Sequence, residues 1–308
     1  MKELLELRVN LKYAHLLFKD DEGVNLGDSV KKVLIDTNSP MFEKVREVRD
    51  LVREKYKDMF FYASDCKRIY TKKEIENARF FQMTPTRHFQ PSGEECGTTY
   101  DETQACPVCG SGAKQMTPLQ LRKSSIPHVD IAETIARGEE IVVSEHFKEL
   151  MEKNHITGIR FAPVYGSGRV KKETGFYQIF PEHYLDFSRR TLFGLDPFDL
   201  TDDTPNMIFW RRYFSKYDWK RYFSDHDKEV NDCPNGDKIG LNILSEAYIK
   251  DHPMLDRLDF FASRQTIGVR RGLLRPFHLL FCSNRMMRLI KDNKLKGFYF
   301  EVAHIVEE

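Results

Sequence analysis

The stretch IVVSEHFKELMEKNHITGIRFAPV, residues 141–164, aligns without gaps with LFCSNRMMRLIKDNKLKGFYFEVA, residues 280–303. Ser144 falls on Ser283, Leu150 on Leu289, Asn154 on Asn293, Gly158 on Gly297 and Phe161 on Phe300. Each copy reads as a strand, a serine cap, a short helix, an asparagine stop, a glycine and a second strand. Phe147, Leu150 and Met151 in one copy, and Met286, Leu289 and Ile290 in the other, are spaced i, i+3, i+4, which places each trio on one side of its helix. Asparagine tolerates left-handed backbone better than most residues, so Asn154 and Asn293 are expected to end the helices in that conformation. The expected fold is therefore α+β, with two related lobes arising from an internal duplication. The same pattern also fits a repeated packing unit with no role beyond the core.

Working outward, residues 117–200 form the expected first repeat lobe and 201–308 the second. The loop-rich DPFDLTDDTPN at 196–206 would link them. A strand is expected at Phe176–Phe180. Residues 1–85 read as a mixed α/β segment. Val45, Val48, Leu51, Val52 and Tyr56 mark a helix over Met41–Lys57, and a short strand follows at Met59–Ala63. Thr71 and Glu74 fit a capping box, a structural signal worth about 1 kcal/mol. Between these regions, at 86–116, periodicity vanishes and Pro, Gly, Ser, Thr and Cys take over.

Composition bounds the function. The 308 residues are 41% hydrophobic, 12% aromatic and 31% charged, enough apolar surface to offset the entropy of ordering. A formal net charge of +1 gives no global attraction to nucleic acid or membranes, so any such pull must come from a local patch. The first residues are interrupted by charges and lack a signal-peptide core, and no run of about 18 apolar residues could span a bilayer. Six cysteines are few for a disulfide scaffold, and three cluster at metal-ligand spacing, which suits a reducing cytoplasm.

Those three are Cys96, Cys106 and Cys109. In Cys106-Pro-Val-Cys109-Gly110, two thiols three positions apart followed by glycine let both sulfurs reach one ion while backbone amides turn towards them. Cys96-Gly97 looks like the second half of another such turn, but Gly93 stands where its first cysteine would be. A structural zinc ion held by Cys96, Cys106 and Cys109 is expected, with His88 as first candidate for the fourth ligand. Cys66, His128 and Cys233 are more distant options. Full ligation would stabilise the loop-rich segment by roughly 10 kcal/mol. A redox dithiol is the alternative, but that chemistry favours a helix N-terminus, and Gly-Ser-Gly is poor helix material. A catalytic zinc would need a neighbouring general base, and none adjoins the motif.

Two further features could recognise partners. Residues 209–223 interleave Trp210, Trp219 and other aromatics with Arg211, Arg212 and Lys216, a pattern able to grip single-stranded nucleic acid by stacking and ion pairing; the plainer reading is an amphipathic helix. From Phe260 to Lys291 there is no acid, yet Arg264, Arg270, Arg271, Arg275, Arg285, Arg288 and Lys291 are present. This run could face an acidic partner or phosphates, or its arginines could pair with carboxylates from elsewhere in the chain. His128-Val-Asp130 could be a catalytic or metal pair, but structural hydrogen bonding explains such a pair more simply. Phosphate-loop, dinucleotide, zinc-protease and hydrolase-elbow motifs are all missing.

The order Arg68-x-Tyr70, capped helix, Cys-Gly turns, then a VVS-helix-TG-strand unit resembles the double-CXXCG motif proteins, a myxobacterial set of paralogues. The segment IVVSEHFKELMEKNHITGIRF is similar to the terminal unit of bacterial immunity proteins. The resemblance covers roughly residues 66–180 and implies Cys96, Cys106 and Cys109 as metal ligands with Gly97 and Gly110 at the turns. Gly93 departs from the family pattern, and the second unit at 280–303 extends beyond it. The implied function is binding of a protein partner, such as a toxin, without catalysis. A nucleic-acid-binding module and an enzyme with a site assembled from scattered residues are the alternatives.

Overall fold

The computed structural model describes residues 1–168, 170–194, 198, 233, 235–238, 242–268, 270 and 272–308. It is α+β and mostly strand. Its described residues divide into two compact units, one around Met1–Asn77 and one around Ala78–Phe193 and the described part of Ser215–Glu308.

The first unit contains β1 (Lys2–Asn10), α1 (Leu11–Ala14), β2 (Val24–Leu26), β3 (Val30–Asp36), α2 (Pro40–Leu51), β4 (Phe61–Ile69) and α3 (Lys72–Asn77). The strands form an antiparallel sheet in the order β2-β3-β1-β4. Leu5, Leu7 and Val9 alternate along β1 and bury on one face with Val33 and Ile35 of β3, and Val45 of α2 joins the same core. Pro40 starts α2, where its missing N–H costs nothing. The Thr71 amide donates to Glu74 Oε2 (2.7 Å) and the Glu74 amide to Thr71 Oγ1 (3.3 Å), so the capping box forms.

The second unit runs β5 (Phe80–Pro85), β6 (His88–Phe89), β7 (Tyr100–Asp101), β8 (Lys114–Gln115), β9 (Gln120–Leu121), β10 (Ile131–Thr134), β11 (Ile141–Ser144), α4 (Glu145–Lys153), β12 (Ile159–Gly166) and β13 (Glu173–Pro181). It continues with β14 (Tyr184–Leu185), β15 (Phe193–Gly194), β16 (Asn242–Ile243), β17 (Ala247–Lys250), β18 (Phe260–Ile267), β19 (Phe277–Ser283), α5 (Asn284–Asp292) and β20 (Phe298–Val306). Two six-stranded sheets result, β6-β10-β11-β13-β12-β9 and β14-β18-β19-β5-β20-β17; β7 pairs with β8 and β15 with β16.

The two sheets have the same pairing pattern. In each, the outer strands pair in parallel with their neighbours (β6 with β10, β9 with β12; β14 with β18, β17 with β20) and the inner pairs are antiparallel. Their registers match too: Ser144 faces Phe176 and Ser283 faces Phe80, while Phe161 faces Ile179 and Phe300 faces Met83. The central strand of each sheet comes from outside its β–α–β segment. β13 follows β12 and fills the first sheet, whereas β5, far upstream, fills the second. The boundaries expected from sequence miss this, because β5 falls in the segment 1–85, β6 in 86–116 and β14 in 117–200, while strand pairing ignores chain distance.

The helices begin as expected. The amide of Phe147 donates to Ser144 Oγ and that of Met286 to Ser283 Oγ, each at 3.1 Å. Their ends differ from expectation. Asn154 (φ −96°) and Asn293 (φ −89°) are not left-handed; the next residues, His155 (φ 51°) and Lys294 (φ 56°), are. The asparagines instead cap with side chains, Nδ2 donating to the carbonyls of Leu150 and Leu289 at 2.9 Å in each case.

Reciprocal contacts tie the segments together. Gly158 (φ 84°) approaches so closely that a Cβ there would lie 2.1 Å from the Phe260 carbonyl oxygen. Gly297 (φ 99°) is equally tight, with 2.4 Å to the Ile131 carbonyl oxygen. Asp130 accepts from Ser144 Oγ (2.7 Å) and the Lys296 amide (2.7 Å); Asp259 accepts from Ser283 Oγ (2.7 Å) and the Thr157 amide (3.3 Å). Asp130 is thereby a structural residue that joins the two segments.

Candidate metal centre

The loop between β7 and β8 turns tightly at Cys106–Ser111. The Cys106 amide donates to the Ser111 carbonyl (2.7 Å) and the Gly110 amide to the Cys106 carbonyl (2.8 Å). Gly110 has φ 79°, and a Cβ on it would sit 2.4 Å from Cβ of Arg270, so no other residue fits without displacement. The Ser111 amide points at Cys109 Sγ (3.4 Å).

A second turn meets it from far along the chain. The Gly236 amide donates to the Cys233 carbonyl (2.8 Å), Gly236 has φ 81°, and the Asp237 amide points at Cys233 Sγ (3.3 Å). The three sulfurs of Cys106, Cys109 and Cys233 lie within 4.8 Å of one another, and the residues are only 8%, 0% and 4% exposed. Such a group could hold a metal ion. None of these cysteines is in a disulfide.

Electrostatics distinguish the three thiols. Burial opposes ionisation of Cys106, yet the amides of Cys109 and Val108 outweigh it and hold the thiol below its ordinary range. Burial, with the charges of Asp237 and Cys233, pushes Cys109 up against the Ser111 amide. Burial and Asp237 push Cys233 up as well. Metal binding would therefore displace protons held by Cys109 and Cys233.

Charged residues brace the first turn. The Arg270 amide donates to the Cys109 carbonyl (2.8 Å). Its guanidinium meets Glu102 (2.9 Å) and Glu94 (3.4 Å), which also hold Arg275 at 3.0 and 2.9 Å. Arg275 lies over the Tyr100 ring (3.8 Å), and the Tyr100 hydroxyl donates to buried Glu140 (2.7 Å).

The expected ligands divide. Cys106 and Cys109 are in the group, whereas Cys96 and His88 are not. Cys96 ends a single 3-10 turn, Glu94–Cys96, followed by Gly97 at φ 102°. The position before that turn is crowded: a Cβ at Gly93 would meet Leu119 Cδ1 at 2.6 Å and Glu140 Oε1 at 2.9 Å, so a cysteine there would have to displace these side chains, and the Gly93 amide donates to Glu140 (2.8 Å). This turn serves the buried Glu140 network. His88 lies on β6 with Nδ1 3.4 Å from Glu133. Cys233 was only a distant option by sequence, although its Cys-Pro repeats the Cys106-Pro107 pair and could have marked it.

Four of the six arginines expected to face a partner are engaged within the chain. Arg264 pairs with Asp186 (2.5 Å), Arg270 and Arg275 with Glu94 and Glu102, and Arg285 with Asp259 (2.9 Å). Arg288 is exposed on α5, and Arg271 lies outside the described residues. Trp210, Arg211, Arg212, Lys216 and Trp219 also lie outside them.

Comparison with models of known protein families and with curated proteins finds no match. No helix among the described residues is long and apolar enough to cross a membrane.

Proposed function

We propose that this is a binding protein built around a structural zinc ion, acting on a protein partner without catalysis. The supporting observation is the burial of Cys106, Cys109 and Cys233 as one compact group. Structural zinc sites are closed and sulfur-rich, while catalytic ones keep a position open to substrate. Zinc is the ion of choice for soft thiolate donors in a tetrahedral setting. The matched sheets, registers and caps support descent from an internal duplication. On that reading the centre joins two equivalent insertions, one between β6 and β9 and one between β14 and β17, and so staples the halves. An immunity-type or defence-associated role follows from the sequence resemblance, with a toxin as the kind of partner expected.

Two measurements test this. The purified chain should carry one zinc ion, and removing it with a strong chelator should lower the thermal midpoint sharply. A metal-free chain with unchanged stability would end the structural-zinc reading. Affinity capture from the protein's own cells, with nuclease treatment, should retain one stoichiometric protein. Loss of all captured material on nuclease treatment would refute the protein-partner reading.

A further inference from the structure

The geometry points to Asp237 as the fourth ligand, giving a site of three thiolates and one carboxylate. This rests on the three-cysteine reading above and adds the oxygen donor.

The first support is position. The amides of Val108 and Cys109 turn towards Cys106, and those of Asn235 and Asp237 towards Cys233, so Cys233 stands in its turn as Cys106 does in the other. The residue equivalent to Cys109 is then found just after a glycine, at Asp237. Cys106-Pro-Val-Cys109 and Cys233-Pro-Asn-Gly-Asp237 differ by one inserted residue, and the left-handed Gly236 absorbs it.

The second support is contact. Asp237 is 4% exposed, and Cys109 and Cys233 both donate S–H bonds to its Oδ2, at 3.4 and 3.2 Å. Its other oxygen accepts from the Thr266 amide (2.7 Å), which fixes the carboxylate's direction. Oδ2 is not one of the atoms mutually within 4.8 Å. Closing on an ion therefore takes a rotation of the carboxylate about this Thr266 anchor, as the two thiols give up their protons.

The third support is charge. A buried carboxylate normally has a cationic partner, because desolvation of a lone charge is costly. Among the described residues no lysine, arginine or histidine forms an ion pair with Asp237, and what faces its Oδ2 is sulfur. A divalent cation bound by three thiolates and this carboxylate supplies the missing positive charge.

The test uses the reduced full-length chain loaded with Co²⁺, whose thiolate charge-transfer absorption counts coordinated sulfurs. Wild type should show three thiolates and tetrahedral ligand-field bands. Asp237→Cys should raise the charge-transfer intensity by one third, to four thiolates. An Asp237→Cys protein that binds Co²⁺ with the wild-type intensity would overturn the assignment. Should that variant not fold, Zn²⁺ competition against a chromophoric chelator on the isosteric Asp237→Asn decides instead. A residue that only orients a ligand costs about 10- to 100-fold in affinity. A loss beyond a hundredfold supports direct ligation, and a smaller one refutes it. Wild type that binds neither ion would sink the three-cysteine reading itself. Wild type that binds while Asp237→Asn stays within a hundredfold refutes only the carboxylate.

Discussion

Glu133, on β10, is a carboxyl held away from water; among the described residues its one partner in salt-bridge range is His88 Nδ1 at 3.4 Å, and burial with the charge of Arg137 disfavours the protonated form of that ring. Burial raises its pKa to about 7, with Arg137 opposing and Glu140 adding to the rise. The folded chain thus keeps a proton that the unfolded chain, at the ordinary value of 4.5, releases first. Stability is fully present below pH 4.5 and is lost as pH rises through about 7. The loss amounts to roughly 3 kcal/mol. Denaturant titrations at pH 5 and pH 8 should show Glu133→Gln gaining on wild type by most of that amount at the higher pH; parallel pH profiles would refute the link. The cysteines make a second prediction at this scale. Cys233→Ser and Cys106→Ser should release the metal and lower the thermal midpoint, whereas Cys96→Ser should leave metal content unchanged. Cys106 and Cys109 are readable in the sequence as a pair because both thiols sit in one turn. Cys233 is not, because only the docking of Asp237 and Lys238 on Thr266 and Ile267 of β18 brings its turn to the pair. Cys96 misleads because Cys-Gly describes any left-handed turn equally well, here one wrapped around Glu140.

Single elements follow local rules, and for that reason they are the most legible part of the chain. Ser144 and Ser283 both accept from the amide three residues on, so replacing either by alanine should cost about 1 kcal/mol, read from denaturation midpoints. The asparagine stops were legible as helix ends, though their means of capping was not: a side-chain amide reaching a carbonyl competes with a left-handed turn, and the turn moved one residue on. Gly158 and Gly297 carry a stronger constraint, since each combines a positive φ with a carbonyl against its Hα. Gly158→Ala and Gly297→Ala should each destabilise by about 2–4 kcal/mol, from left-handed strain plus overpacking. A tolerated alanine at either site would mean that the close approach to β18 or β10 is not a fixed feature. The likeness of 141–164 to 280–303 was legible because the cap, helix and glycine recur at fixed spacing. Of the two central strands, Phe176–Phe180 was legible and 80–85 was not, although FFQMTP at 80–85 and FYQIFP at 176–181 repeat the same pattern, because six residues without a cap or turn carry little signal.

At the scale of the whole second unit, those central strands decide how the chain can be divided. The hairpin turn between β12 and β13 closes through the Gly166 amide and the Lys172 carbonyl (2.8 Å) and is exposed, so it is a natural place to cut. A cut there leaves β5 with β6 and β9–β12 in one fragment, and β13 with β14 and β17–β20 in the other. Each fragment then lacks the strand that fills the middle of its sheet. β11 and β12 are left with unpaired inner edges, as are β19 and β20, and such edges favour aggregation over folding. Each fragment holds the other's missing strand, so the pair can rebuild both sheets. The proposed metal centre makes the same demand, because Cys106 and Cys109 lie in one fragment and Cys233 in the other. Residues 78–168 and 169–308 expressed separately should therefore be insoluble or unfolded by circular dichroism. Co-expressed, they should purify as a 1:1 complex carrying one zinc ion per pair, and chelation should loosen that complex. A second fragment that folds and stays monomeric alone would show that its sheet closes without β5, and the exchanged-strand architecture would have to be abandoned.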